Sequence, residues 1–253
     1  MERALVINNL TKSYGREPVI KELELEVPPG TIFGLIGPNG AGKSTLIGIL
    51  TGILPFDSGQ IIMNGLDLLP ANELAIKKDI ASVLQPPLLF ESFTSYEFIN
   101  YVVEMYGEKH EDLDHKIDTL FSYFELEEFR HVQTKQLSSG SRKKLAFSTA
   151  ILVNPKLLFL DEPFESVDVI SISRMKTIIR KLKERGTTIF ITSHILEVVE
   201  NLCNDIAILH KGKIVAYLDS KTRNELQKDS TLSEIFEQYV GMGSMKEKAP
   251  DWL

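Results

Sequence analysis

The chain has 253 residues, 43% of them hydrophobic and 25% charged, with 28 basic against 35 acidic side chains and a net charge of −7. Such a length buries a substantial core, as one large domain or as a domain with a subdomain, and the composition is that of a soluble globular protein. The acidic balance argues against a nucleic-acid partner, since binding a phosphate backbone normally needs a basic face.

The N-terminal MERALVINNL is too short and too polar for a signal peptide, and no apolar run reaches the roughly 18 residues of a membrane span. A membrane role is therefore expected only through a partner. The single cysteine, Cys203, cannot form an internal disulfide; it sits in the apolar-patterned ILEVVENLC and is expected in or near the core.

In chain order, residues 4–7 (ALVI), 19–27 (VIKELELEV) and 60–65 (QIIMNG) have strand character, and in the second Leu23, Leu25 and Val27 alternate against Lys21, Glu24 and Glu26. Alternation means one buried and one wet face, as in an antiparallel sheet. The runs FGLI, LLFLD and TIFIT are instead almost wholly apolar, as parallel strands covered on both faces require. From residue 86 to 154 no convincing strand occurs. There TSYEFINYVVEMYG reads as a helix capped by Thr94 and closed by Gly107, and DLDHKIDTLFSYFEL carries Leu113, Ile117, Leu120, Phe121 and Phe124 at helical spacing. This is a helical insertion within an α/β domain. After LLFLDEP come a helix over SISRMKTIIRKLKERG, the strand TTIFIT, a short helix and a hairpin DIAILHKGKIVAYL turning at Lys211 and Gly212. The charged stretch from Lys246 reads as a frayed tail.

The chemistry lies in GPNGAGKST, residues 37–45, which fits G-x-x-x-x-G-K-[ST] with Gly37, Gly42, Lys43 and Ser44 at the fixed positions. A polyphosphate is wrapped closely only by a backbone poor in Cβ atoms. Gly37, Gly40 and Gly42 supply that freedom, and Pro38, Asn39, Ala41 and Thr45 complete the loop. The following TLIGIL reads as a helix whose free N-terminal N–H groups favour the same anion. Lys43 reaches the β- and γ-phosphates, and the Ser44 hydroxyl bears on Mg²⁺. LLFLDEP places Asp161 and Glu162 at the end of a buried strand, the first expected to hold Mg²⁺ and the second to orient and polarise an attacking water.

Several segments in one order resemble the ATP-binding domain of ATP-binding cassette (ABC) transporters over about the first 220 residues. Tyr14 in KSYG matches the aromatic position that stacks on adenine, and Gln85, after IASVL, matches the Q-loop glutamine that contacts metal and water. LSSGS, residues 137–141, matches the family signature; ESVD, residues 165–168, matches the D-loop; His194 in ITSHILE matches the switch histidine. The resemblance implies a P-loop NTPase core of α/β class with a mixed sheet, an N-terminal antiparallel β-subdomain and a helical subdomain at about 86–153, inserted between Q-loop and signature. It implies one such domain over residues 1–220, with a helical extension at 221–245 and a tail at 246–253.

It also implies that ATP and Mg²⁺ bind between two such domains, each phosphate loop facing the partner's signature. Ser138 and Gly140 then contact the partner's γ-phosphate, and the helix KLAFSTAILV lies behind them. Two departures from the family pattern stand out. Ser139 and Ser141 replace a central glycine and the glutamine of the signature, and Ser166 and Val167 stand where glycine and leucine are preferred. Backbone strain of the order of 1 kcal/mol is expected at Ser139 if its φ is positive.

The resemblance is strongest to bacterial single-cassette subunits paired with export-type permeases. The expected function is a cytoplasmic ATPase subunit, peripheral on the inner face of the membrane through an integral permease, with PPLLFESFTSYEF (residues 86–98) either receiving that permease or packing the helical subdomain. A soluble ABC-type ATPase without a permease is the alternative. A P-loop kinase or GTPase is disfavoured by LSSGS and by the lack of N-K-x-D. His110, His115, His131 and His210 fall in no motif and are expected at the surface.

Overall fold

The structure, a computed structural model, describes residues 3–107, 112–226 and 230–241. In order come β1 (Leu5–Tyr14), β2 (Glu17–Val27), β3 (Ile32–Ile36), α1 (Lys43–Leu50), β4 (Ser58–Met63), β5 (Leu66–Asp67), α2 (Glu73–Asp79) and β6 (Ile80–Val83). The helices α3 (Ser95–Met105), α4 (Leu113–Phe124) and α5 (Ser139–Leu152) follow, then β7 (Leu157–Asp161), α6 (Val169–Glu184), β8 (Thr188–Ser193), α7 (Leu196–Leu202), β9 (Asp205–His210), β10 (Lys213–Leu218), α8 (Ser220–Leu226) and α9 (Leu232–Val240).

Two sheets form, as the two hydrophobic patterns require. The antiparallel one has the order β2-β1-β4-β5; the mixed one has the order β10-β9-β3-β8-β7-β6, parallel except for the β9–β10 hairpin. Along the inner strands alternate residues divide between two cores. Ile32 and Ile36 of β3, Leu158 and Leu160 of β7, and Ile189 and Ile191 of β8 face the core built with α3 to α7. Phe33, Leu35, Leu157, Phe159 and Phe190 face the core shared with α1 and the antiparallel sheet. Residues that alternate within an apolar run point to opposite faces, so a strand covered on both sides has no wet position.

In β2 Lys21 and Leu23, two apart, still face differently because Glu22 sits at φ 49 and the pairing with β1 shifts there. The strand β1 also extends through Lys12 and Ser13 to Tyr14, beyond the four apolar residues readable in sequence.

The inserted segment is helical as expected, its only extended pairing among the described residues being the isolated bridge Thr94–Gln133. Thr94 Oγ1 accepts the Glu97 N–H and Glu97 Oε2 accepts the Thr94 N–H, a reciprocal cap that starts α3. Phe98, Ile99, Ile117, Phe121 and Phe124 are buried against the first core. Cys203 is buried as expected, and burial pushes its thiol up to about 12. No helix among the described residues is long and apolar enough to cross a membrane. The tail from residue 246 lies outside the described residues.

Candidate active site

Strand register assembles the site. Parallel pairing sets Ile36 level with Ser193 and Asp161 level with Thr192. The loop after β3, the acid ending β7 and the residue after β8 therefore emerge side by side at the carboxyl ends of neighbouring strands. With strands about 4.8 Å apart, the three segments lie within about 10 Å of each other. That edge is where open α/β sheets hold their ligands.

A concavity of about 530 Å³ opens there, lined by Tyr14 and Val19, by Asn39, Gly40, Gly42, Lys43, Ser44 and Thr45, and by Glu162, Glu165 and His194. Gly42 is the N-cap of α1, at φ 110, with no side-chain cap, which leaves the first-turn N–H groups of the helix to an anion. Gly37, Pro38 and Ala41 belong to the same loop but not to the lining. Gly37 is required for room, because a Cβ on it would stand 2.3 Å from Leu209 O.

Lys43 Nζ donates to Gly37 O at 2.7 Å and to Pro38 O at 3.3 Å, so the ammonium lies folded on its own loop. Burial pushes its pKa below the ordinary lysine value, and the Glu162 and Asp161 carboxylates pull it back up. Asp161 is buried and accepts from the Thr192 hydroxyl. Glu162 holds the uncommon φ of 46, its N–H donating to both Thr192 O and Thr192 Oγ1 at 3.2 Å. Its Oε2 lies 2.9 Å from His194 Nδ1 and accepts the His194 backbone N–H at 3.3 Å. Tyr14, half exposed at the end of β1, borders the concavity. Gln85 lies just beyond β6, exposed, and its Nε2 donates to Glu165 Oε2 at 2.7 Å.

Ser138 and Gly140 do not line this concavity. Ser138 caps α5, its Oγ accepting the Ser141 N–H at 3.1 Å. Gly140 packs on the turn before α6, where a Cβ would stand 2.6 Å from Ser166 O. Ser139 is the first residue of α5 and has no positive φ, so the strain expected there is absent; the left-handed conformation falls on Ser166, at φ 61. Ser139 opens a helix, and a helical φ is negative.

The oxygen donors that line the concavity include the Ser44 hydroxyl and the Glu162 and Glu165 carboxylates; Asp161, next to Glu162, and Gln85, bound to Glu165, border this set without being part of the lining. These hard ligands suit Mg²⁺. Among the described residues no three His, Cys, Asp or Glu side chains cluster to cage a metal.

Three contributors lay beyond sequence reasoning. Thr192 orients both acids, Glu165 holds Gln85, and Lys143, buried on α5, donates to Glu162 O at 2.7 Å and Glu165 O at 3.0 Å. Glu165 was within a recognised motif, but nothing in the motif points its side chain at Gln85. His115 and His131 are exposed as expected, His110 lies outside the described residues, and His210 departs from expectation: it is half-buried with its Nδ1 unpartnered.

Comparison with known proteins points to one family. Residues 20–165 match the family model described as ABC transporter. The chain is 34% identical over 236 residues to the lantibiotic transport ATP-binding protein SrtF of Streptococcus pyogenes, covering 93% of this chain and 97% of that protein. It is 33% identical over 235 residues to the lipopolysaccharide export system ATP-binding protein LptB of Haemophilus influenzae, covering 92% and 96%. Among solved structures, an ATP-binding subunit of an ABC transporter superposes with a TM-score of 0.86 at 28% identity, over 93% of this chain and 99% of that one. A dimeric ATP-binding cassette in a post-hydrolysis state bound to ADP and Pi has the same fold, with a TM-score of 0.77 at 24% identity over 85% and 98%.

Proposed function

The chain belongs to the ABC transporter family as an ATP-binding subunit, and on that premise we propose that it is a Mg²⁺-dependent ATPase that drives a separately encoded integral membrane permease. The observation that carries the reading is the convergence of Lys43, Ser44, Glu162 and His194 on one concavity, with Glu162 in hydrogen-bond contact with His194. In this reading residues 37–45 cradle the phosphates and Tyr14 packs on adenine. Ser44, Gln85 and Asp161 take the Mg²⁺, which when bound neutralises developing phosphate charge. Glu162 orients the attacking water, and His194 holds Glu162 and senses the γ-phosphate.

Ser138 and Gly140 lie outside their own concavity, which supports their contacting the nucleotide of a second ATPase domain, a copy of this chain or a different one. Residues 1–220 act as the ATPase domain, 86–153 as its helical subdomain and 221–245 as an extension. The chain works in the cytoplasm, held at the inner face of the membrane by its permease. A nucleic-acid partner is not expected.

The permease-docking surface is the segment after Gln85. Leu88 and Phe90 are 67% and 49% exposed, beside a groove of about 290 Å³ that Pro87, Leu88, Phe98 and Tyr106 help to line. Phe98 is buried while Phe90 packs at a tilt on Phe93 and edge-to-face on Tyr101 at the surface, so the segment divides between packing and docking. Affinity purification from detergent-solubilised membranes tests this. One integral membrane protein is expected with the parental chain and not with Phe90→Asp. Recovery of no integral protein at all supports an ABC-type ATPase working without a permease.

A further inference from the structure

Gln85 makes its hydrogen bond to a residue 80 positions later: its Nε2 stands 2.7 Å from Glu165 Oε2. A carboxylate only accepts, so the amide atom turned toward it has to be the nitrogen. That sets the orientation of the amide and leaves Oε1, the one atom of this side chain able to bind a cation, unengaged by Glu165.

Glu165 is well placed for the task. It borders the concavity together with Ser44 and Glu162. Its N–H reaches Glu162 O at 3.3 Å, and its own carbonyl accepts the Lys143 ammonium at 3.0 Å. Lys143 is buried, and its ammonium also holds Glu162 O at 2.7 Å. The turn that carries Glu165 is thus tied by α5 to the residue that orients water, while its carboxylate is free to reach across to Gln85.

We propose that Glu165 is a positioning residue, accepting the amide N–H of Gln85 so that Oε1 is the atom left for Mg²⁺. The inference rests on the reading of Gln85 as a metal contact. The terminal torsion of a glutamine is broad and roughly two-fold. Without Glu165 the amide occupies both orientations, and only one presents oxygen.

The test uses the full chain with a fluorescent ATP analogue, titrated with Mg²⁺ and repeated in EDTA. Glu165→Ala is expected to raise the half-saturating Mg²⁺ concentration about fivefold, with nucleotide affinity in EDTA not reduced, because Lys43 and its loop are untouched and a negative charge is removed beside the phosphates. Glu165→Gln keeps an acceptor oxygen at the same length and stays within about twofold of the parent. Gln85→Ala raises the Mg²⁺ requirement by itself, and adding Glu165→Ala gives no further shift. An unchanged Mg²⁺ requirement in Glu165→Ala, with Gln85→Ala shifted, overturns the proposal and leaves the reading of Gln85 standing. No shift in Gln85→Ala overturns both. Equal losses with and without Mg²⁺, or a Glu165→Gln variant as impaired as Glu165→Ala, assign Glu165 a structural or purely electrostatic part and also overturn it.

Discussion

One carboxylate oxygen of Glu162 takes two contacts from His194, the imidazole Nδ1 at 2.9 Å and the backbone N–H at 3.3 Å. The acid is thereby aimed by the strand end of β8, with its second oxygen left to accept from a water. Glu162→Gln keeps the shape and removes the carboxylate proposed to orient the attacking water. ATP turnover is expected to fall at least about 100-fold, with ATP binding retained and an ATP-bound dimer accumulating. Phosphate release and gel filtration with ATP measure this, and turnover near the parental rate would falsify the assignment of Glu162.

Gly140 and Ser139 are neighbours with opposite tolerance. Gly140→Ala puts a Cβ 2.6 Å from Ser166 O, a backbone atom that cannot swing away. The clash is expected to cost about 1–3 kcal/mol, more than the roughly 1 kcal/mol that alanine gains over glycine in a helix. Ser139→Gly, at a position with no positive φ, changes stability by no more than about 0.5 kcal/mol. Thermal unfolding of both variants decides it; a clear gain from Ser139→Gly sinks the backbone argument.

Ser166 holds φ 61 in the same turn, a conformation glycine adopts without strain. Ser166→Gly is expected to stabilise by about 0.5–1 kcal/mol, a rise in Tm of about 2 °C for a chain of this size. Calorimetry that finds a lower Tm contradicts it.

Asp168 caps the 16-residue α6, its Oδ1 accepting the Ser171 N–H at 2.8 Å. That bond to the Ser171 N–H holds its carboxyl below the ordinary aspartate value of 3.8. A lowered folded-state pKa means stability that is present above the unfolded value and lost as pH falls through the folded one. Asp168→Ala therefore costs about 1 kcal/mol near neutrality. The gap to the parent narrows below about pH 4, and the Lys144 ammonium, 3.8 Å from the exposed Asp168 carboxylate, adds little. Unfolding temperatures compared from about pH 7 to about pH 3 check this. A gap of constant size contradicts it.

Both sheets were legible because burial leaves a local signature. Glu24 and Glu26 between Leu23, Leu25 and Val27 mark a one-sided strand, and the unbroken LLFLD marks a two-sided one. The helical insertion was legible for the same reason, through the Phe121 and Phe124 stripe and the Thr94 cap. What misled was a backbone angle. Ser139 stands in a glycine's place in its motif, yet it opens α5 with a helical φ, while the left-handed angle falls at Ser166. Dihedral angles depend on what the turn packs against, and a motif does not carry that.

By itself the sequence determined the phosphate-loop motif and singled out Lys43, Ser44, Asp161, Glu162 and His194 as candidates, because each lies in a short motif whose neighbours already dictate strand, loop or helix. Only the tertiary structure decided who touches whom. Thr192 reaches Asp161 because β7 and β8 pair in that register, and Glu165 meets Gln85 across 80 residues because α5 anchors the intervening turn through Lys143. Contacts between distant segments are set by register and packing, to which no single motif has access.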